Sequence, residues 1–217
     1  MSPERIDYRR RNEWGERESS GGWRDRITSA LPVSMSGLIL LICIVAFILC
    51  NIFPQFAYYY LTLNPYFVMQ RPWTLITSMF VHFRFDHLLL NMLFLFFFAT
   101  NLERLVGERK FLAIYIVSGI VAGAAQMLVT GGFSYGASGA LYGVLGCLAV
   151  IAPQTRILLF FVIPMGIRAA VLLFALIEFM SLGSMDGIGH MAHLAGILVG
   201  LAYGEVLTKR PKYYYDL

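Results

Sequence analysis

A serine flanked by glycines lies in an apolar part of the chain, within the stretch GASGALYG at residues 136–143. Such a hydroxyl can bond to its own helix backbone, and small residues there allow helices to pack closely. The same hydroxyl becomes a nucleophile where a histidine accepts its proton. Whether Ser138 is a helix-packing residue or a nucleophile therefore depends on where the histidines lie.

All four histidines lie at the ends of apolar segments: His82, His87, His190 and His193. With both termini on the cytosolic side of a membrane, these ends meet the outer side, where the loop into Ser138 also lies. A histidine inside a membrane is costly and functional by default, although a single one is equally well explained as a bond between helices. Four on one side, facing Ser138, favour a reaction centre.

Helix periodicity indicates which groups meet. Ser138 and Tyr142 are four residues apart and share a helix face, so the Tyr142 ring is expected to pack on a histidine that reaches Ser138. Close approach of two helices is favoured by glycines on both: Gly139, Gly143 and Gly146 on one, and Gly196, Gly200 and Gly204 on the other. This approach would place the His193 imidazole against the Ser138 hydroxyl, where neutral histidine acts as a general base.

Acyl transfer also needs donors for the developing oxyanion. The candidates are the Ser138 N–H near a helix N-terminus, His82 and Asn91. Burying the Asn91 amide within the apolar run LLLNMLFLFFF costs free energy unless it has a partner. A hydrogen bond between helices is an alternative explanation of Asn91 taken alone.

No third member of a triad is apparent in the sequence. Asp86 lies outside the apolar run, Asp186 falls in the last outer loop, and Glu178 belongs to another span. A Ser–His dyad is therefore expected. A metal site built on His190 and His193 is disfavoured, because no His-Glu-x2-His pattern or suitably placed acidic ligand accompanies them.

Composition identifies the class of protein that must position these groups. The 217 residues are 58% hydrophobic and 14% charged, with a mean hydropathy of +0.67, against about 45–50% apolar and roughly 25% charged in soluble domains. The chain is expected to be an integral membrane protein. Its net charge of +4 is attributed to basic membrane flanks rather than to nucleic-acid binding. Cys43, Cys50 and Cys147 are interpreted as small apolar residues in helices.

Apolar runs predict six membrane spans, at residues 33–53, 87–100, 111–129, 137–152, 168–180 and 188–207. The aromatic connection 54–86 is expected to lie in the outer interface, and residues 157–164 form a predicted loop dipping into the cytosolic interface. Residues 1–31 are expected to be a flexible cytosolic segment, 32–208 the six-helix core, and 209–217 a short cytosolic tail. This topology leaves only Arg71 and Arg84, of 17 basic residues, outside the cytosol.

These residues together resemble the rhomboid family of intramembrane serine proteases, in its minimal six-helix prokaryotic form. The resemblance covers about residues 33–207 and rests on four patterns in order: His82, His87 and Asn91; Glu103 and Gly107; Gly136, Ser138 and Gly139 with Tyr142; and Ala192–His193 with Gly196 and Gly200. One departure is that Thr74, rather than the arginine common in the family, follows Trp73.

The resemblance implies an all-α bundle of six transmembrane helices with a short central fourth helix and an interfacial first outer loop. Ser138 would be the nucleophile and His193 the base, with His82, Asn91 and the Ser138 amide as the oxyanion site. Tyr142 and Gly136 would shape the site, and the supporting residues would be His87, His190, Gly139, Gly196, Gly200 and Glu103. No cofactor or metal is implied.

The resemblance also implies single-span membrane proteins as substrates, cleaved near the outer interface after a small residue. The protein would lie in the plasma membrane with both termini cytoplasmic and the active site opening to the extracytoplasmic side. One alternative remains at this point, an inactive rhomboid-like binding protein, which would share the fold. A transporter or channel is disfavoured, because it would carry polar residues along several helices and internal repeats, which this sequence lacks.

Overall fold

The computed structural model describes residues 34–159, 162–184 and 186–209. Its helices in chain order are α1 (Met35–Ile52), α2 (Pro54–Tyr60), α3 (Thr74–Thr77), α4 (Phe85–Val106), α5 (Glu108–Thr130), α6 (Ser138–Ile151), α7 (Ile167–Met180) and α8 (His190–Lys209). Most of the predicted flexible segment and tail, residues 1–33 and 210–217, lie outside the described part.

Four of these helices, α1, α4, α5 and α8, are long and apolar enough to cross a membrane by length and composition. The prediction of a helical membrane protein is therefore confirmed. Both α6 and α7 have 14 residues, which is short for a full span of about 20. The count of six spans stays a prediction.

The second span is expected to begin with residues 87–100, and helix α4 contains this stretch. The helix continues through a π-helical turn at Leu95–Ala99 and ends at Val106, before Gly107 with φ of +82°. Near this end, the Glu103 carboxylate accepts hydrogen bonds from the backbone N–H groups of Met35 (2.7 Å) and Ser36 (2.9 Å). It thus satisfies two of the free donors at the N-terminus of α1.

The connection between α1 and α4 carries a band of exposed aromatic side chains, including Tyr59, Tyr66 and Trp73. The Trp73 indole N–H donates to the Tyr60 carbonyl at 2.9 Å. Arg71 donates to the Tyr59 carbonyl, and its guanidinium lies 4.7 Å from the Tyr60 ring centroid. Aromatic anchors of this kind suit a membrane interface. Position 74 is threonine, and the contacts of a basic side chain with Tyr59 and Tyr60 in this connection are made by Arg71.

The predicted loop 157–164 contains two short strands, in a fold whose other described elements are helices. Strands β1 (Arg156–Leu159) and β2 (Ile163–Gly166) form an antiparallel hairpin in which Ile157 lies opposite Met165. Isoleucine and other branched apolar residues fit a half-exposed strand better than a free loop. The hairpin leads into α7, where the Arg168 guanidinium donates to the Ala149 carbonyl at 3.1 Å.

Helix α6 is the centre of the bundle, as predicted, with ten of its 14 residues buried. A Cβ added at Gly196 would overlap the Gly139 carbonyl oxygen, and one at Gly200 would overlap that of Gly143. On the other side of α6, a Cβ at Gly139 would lie 2.6 Å from the Ala122 Cβ of α5. The predicted close approach of two glycine-bearing helices is therefore confirmed, and it fixes α8 against α6.

Candidate active site

A glycine turn delivers Ser138 to the first position of α6. Gly136 has φ of +104°, and a Cβ there would lie 2.6 Å from the His87 Cε1 atom, so both the backbone and the space require glycine. The Gly136 N–H donates to the Ser78 carbonyl at 2.8 Å, which holds the turn against the preceding loop. Ser138 consequently begins a helix, where the first N–H groups have no partner within the helix.

The structure brings His193 to Ser138. The His193 Nε2 atom lies 2.7 Å from the Ser138 Oγ atom, and the imidazole is buried. The Tyr142 ring stacks on this imidazole, with centroids 4.2 Å apart and planes 4° from parallel. The glycine contact explains both interactions of His193, because Ser138 and Tyr142 lie on the face of α6 that α8 approaches.

A third group, which the sequence analysis placed too far away, also reaches His193. The Glu178 Oε1 atom lies 2.9 Å from the His193 Nδ1 atom, within ion-pair distance, although the angle at Nδ1 falls outside that of a hydrogen bond. Sequence spacing did not indicate this contact, because it depends on how α7 is rotated about its own axis. A signal was nevertheless present: a glutamate inside the apolar run FALIEFM is functional by default in a membrane helix.

The Glu178 carboxylate is 6% exposed and has two further partners. The Tyr142 hydroxyl donates to Oε1 at 2.7 Å, and His190 Nδ1 lies 2.5 Å from Oε2. His190 Nε2 in turn lies 3.0 Å from both the Ser184 hydroxyl and the Asp186 carboxylate. His190 thus connects the last outer loop to Glu178 and does not touch Ser138.

His87 and Asn91 line the cavity above Ser138, whereas His82 does not. His82 is fully buried, and its Nε2 atom accepts from the Ala137 N–H at 3.4 Å while Nδ1 lies 3.3 Å from the Phe80 carbonyl. Burial, followed by the neighbouring His87, lowers the pKa of His82 to about 4. A neutral ring with both nitrogens engaged by backbone supports the Ser138 turn, so the structure does not place His82 where the sequence analysis expected it.

Asn91 lies one helical turn beyond His87 and is 5% exposed. Its Nδ2 atom donates to the His87 carbonyl at 2.8 Å. The two side chains belong to the same face of α4, and a signal for this pairing was in the sequence, since residues four apart share a helix face.

The cavity has a volume of about 610 Å³, within the range of about 300–1,000 Å³ usual for ligand sites. Its floor carries Ser138, Tyr142 and His193, and its mouth carries Arg84 and Asp86, which form an exposed ion pair at 2.6 Å. Within the described ranges no group of three or more His, Cys, Asp or Glu side chains is arranged to hold a metal ion. The arrangement can therefore bring a nucleophile, its base and water together beneath one opening.

Comparison with known proteins decides the family. Residues 69–210 match the family described as "Rhomboid domain". The chain belongs to the rhomboid family. Since its described part also has four helices able to cross a membrane, this rhomboid is an integral membrane protein.

Similar proteins include several with protease in their names. This rhomboid is 34% identical over 163 residues to "Rhomboid protein 1, mitochondrial" of Saccharomyces cerevisiae, covering 68% of this chain and 46% of that protein. It is 31% identical over 140 residues to "Rhomboid protease GlpG" of Haemophilus influenzae, covering 64% and 72%. It is 33% identical over 125 residues to "Rhomboid protease GluP" of Bacillus subtilis, covering 57% and 24%. The chain thus spans less than half the length of the yeast and Bacillus relatives.

Proposed function

We propose that this rhomboid is an intramembrane serine endopeptidase, with Ser138 as nucleophile and His193 as general base. The observation that supports this most directly is the 2.7 Å separation of Ser138 Oγ and His193 Nε2 at the floor of an open cavity. A hydroxyl and an imidazole at this separation can exchange a proton. The names of the relatives agree with a protease.

The reaction follows from these atoms. Ser138 Oγ attacks the carbonyl carbon of the scissile peptide bond as its proton passes to His193 Nε2, and the tetrahedral intermediate forms. The C–N bond then breaks, and His193 returns the proton to the leaving amine, which leaves an acyl-enzyme ester on Ser138. Water entering through the cavity gives a proton to His193 and its oxygen to the ester carbon. The C–Oγ bond then breaks as His193 gives this proton to Oγ, which releases the acid product and restores both Ser138 and neutral His193.

The oxyanion is assigned here to the Ser138 N–H, His87 and Asn91, with His87 replacing His82 in the sequence-based hypothesis. His87 and Asn91 border the cavity with Ser138. The Asn91 Nδ2 atom has two hydrogens, and its bond to the His87 carbonyl uses one of them. The second is free to meet an oxyanion above Ser138. Removing one such donor typically costs about 10²–10³ in kcat.

The substrates proposed are single-span membrane proteins cleaved near the outer interface. A 610 Å³ cavity accepts a short extended peptide rather than an intact helix, which suits a substrate that unwinds locally. We propose that the protein lies in the plasma membrane and crosses it six times, with α6 and α7 among the spans. Both termini are then cytoplasmic. The basic residues flanking the spans support this orientation.

The test is labelling with a fluorophosphonate probe, together with cleavage of a fluorogenic transmembrane peptide in lipid vesicles. The wild-type protein is expected to do both, and Ser138→Ala and His193→Ala to lose at least about 10³-fold in cleavage while keeping their melting temperatures. Cleavage by Ser138→Ala at near the wild-type rate would remove the nucleophile assignment. A folded wild-type protein that neither labels nor cleaves would instead be an inactive rhomboid-like protein.

A further inference from the structure

We infer that Glu178 is a positioning residue of the reaction centre, which holds the proton of His193 on Nδ1 so that Nε2 is free to accept the proton of Ser138. This inference rests on the proposed function and extends it from a Ser–His pair to a Ser–His–Glu arrangement. The carboxylate comes from α7, a helix that carries neither member of the pair.

The chemistry of the imidazole requires a proton acceptor beside Nδ1 of His193. A neutral histidine has one N–H and one bare nitrogen, and only the bare nitrogen can act as a base. His193 Nε2 faces Ser138 Oγ at 2.7 Å, so a reactive pair requires the proton on Nδ1. Glu178 Oε1 is the acceptor beside that atom, at 2.9 Å. When His193 takes the serine proton, the resulting imidazolium is stabilised by the same carboxylate.

The burial of Glu178 also supports a role beside His193. From residue 172 to the end of α7 it is the one buried residue, while Leu176 and Phe179 are exposed as lipid-facing side chains would be. A carboxylate turned inward from such a helix is strongly unfavourable unless donors receive it. Its neighbours are donors drawn from two other helices, the Tyr142 hydroxyl of α6 and the imidazoles of α8. The structure thus gives Glu178 one consistent orientation, towards His193.

The two carboxylate oxygens of Glu178 have different partners. His190 binds Oε2, whereas Tyr142 and His193 share Oε1. The His190 bond prevents the carboxylate from turning, and His190 is itself held by Asp186 and Ser184 of the adjoining loop. His193 Nδ1 faces the Oε1 atom that this arrangement holds in place, at 2.9 Å, and the Tyr142 ring stacks on the imidazole.

The inference is tested on the purified full chain in vesicles with Glu178→Gln and Glu178→Asp. Glutamine keeps the volume and removes the charge, and we expect kcat for a fluorogenic transmembrane peptide to fall about 100-fold while KM changes less than about threefold. Aspartate keeps the charge on a shorter side chain and should restore part of the rate, to within about tenfold of wild type. The matched control is Glu205→Gln, because the Glu205 carboxylate is exposed and forms a surface ion pair with Lys209. This control should keep the wild-type rate.

A purely structural pin between helices predicts a different pattern. In that case Glu178→Gln and Glu178→Asp would lose equal activity in proportion to a lowered melting temperature, and the inference would be overturned. Glu178→Gln with the wild-type kcat would overturn it as well. If Glu178→Gln fails to fold, the kcat and melting temperature of Glu178→Asp decide between the same two patterns.

A spectroscopic readout separates this inference from the proposed function. In protein carrying ¹⁵N-labelled histidine, with the His193 signals assigned by their loss in His193→Gln, Nδ1 is expected to be the protonated nitrogen. Protonation on Nε2 in the wild-type protein would overturn the role of Glu178 even if the protein cleaves its substrate. Protonation on Nδ1 in a protein that never labels with fluorophosphonate would support the role of Glu178 and remove the protease assignment.

Discussion

Helices α7 and α8 both pack on α6, but in different ways. Helix α8 meets α6 through backbone-to-backbone contacts that repeat along its length, at Gly196 and Gly200, and Gly204 continues the contact to Val150. Helix α7 is buried near its beginning, at Ile167, Ala170 and Val171, and near its end only at Glu178.

This difference follows from the physics of membrane helices. Lipid tails are as apolar as leucine, so helices associate through close packing and hydrogen bonds rather than through water exclusion. The glycine seam between α6 and α8 is held by close packing, and its rigid backbone fixes the Ser138–His193 distance. The outer end of α7 is held by hydrogen bonds to one carboxylate, that of Glu178. The Ser138 and His193 side chains therefore lie on the rigid pair, and the Glu178 carboxylate, which we propose orients them, belongs to the less tightly packed helix.

The largest expected effect comes from opening the glycine seam. Gly200→Ala would drive a methyl group into the Gly143 carbonyl oxygen, and backbone on both sides leaves little room to adjust. We expect a loss of unfolding free energy of about 3 kcal/mol, since overpacking of a fitted contact costs that order. Fluorophosphonate labelling should fall more than about 100-fold, because Ser138 and His193 separate.

The control for the seam is Gly166→Ala at the start of α7. Nothing lies within 4 Å of a Cβ added at Gly166, so this variant should keep both its melting temperature and its labelling rate. A Gly200→Ala protein that labels as fast as wild type would show that the seam tolerates a wider spacing.

A smaller effect is expected from Tyr142→Phe, which loosens the outer end of α7 and leaves the seam intact. The ring still stacks on His193, but the 2.7 Å bond from the hydroxyl to Glu178 is lost. We expect unfolding free energy to fall by about 1–2 kcal/mol, the cost of a buried hydrogen bond to a charged group. The labelling rate should fall about threefold to tenfold.

Tyr203→Phe, towards the other end of α8, is the matched control and should behave as wild type. A Tyr142→Phe protein with a wild-type labelling rate would mean that Tyr142 acts through its ring alone.

The sequence predicted the Ser138–His193 pair because both helix periodicity and the glycine spacing are local properties of the chain. It did not predict Glu178 as a partner, because that contact depends on how α7 is rotated about its axis. The apolar run around Glu178 has no small-residue stripe that would fix this rotation. The charge within that run was the available signal, and it pointed to function without naming a partner.

The role of His82 in the oxyanion site stays a prediction, although its ring does not line the cavity. Both His82 and His87 lie near the start of α4, and the helix begins only at Phe85. The direction of the His82 ring is therefore set by an irregular loop, where spacing carries no information on side-chain direction. His87 is inside the helix and shares a face with Asn91, so periodicity was the better guide. The hairpin of β1 and β2 was missed because its strands have four residues each, too few for a recognisable alternation.

The smallest expected effect concerns the beginning of α7 and completes the contrast with its outer end. Val171 is 6% exposed and Leu172 is 72% exposed. Val171→Ala removes buried packing and should lower unfolding free energy by about 1 kcal/mol, whereas Leu172→Ala should leave it unchanged. Neither should change kcat more than about twofold, because Glu178 stays in contact with His193. The two helix ends thus predict different patterns: Val171→Ala lowers stability with almost no change in rate, whereas Tyr142→Phe lowers both stability and rate. A thermal melt and a labelling time course on both variants would distinguish these patterns, and a fall in rate for Val171→Ala as large as that for Tyr142→Phe would show that α7 moves as one rigid piece.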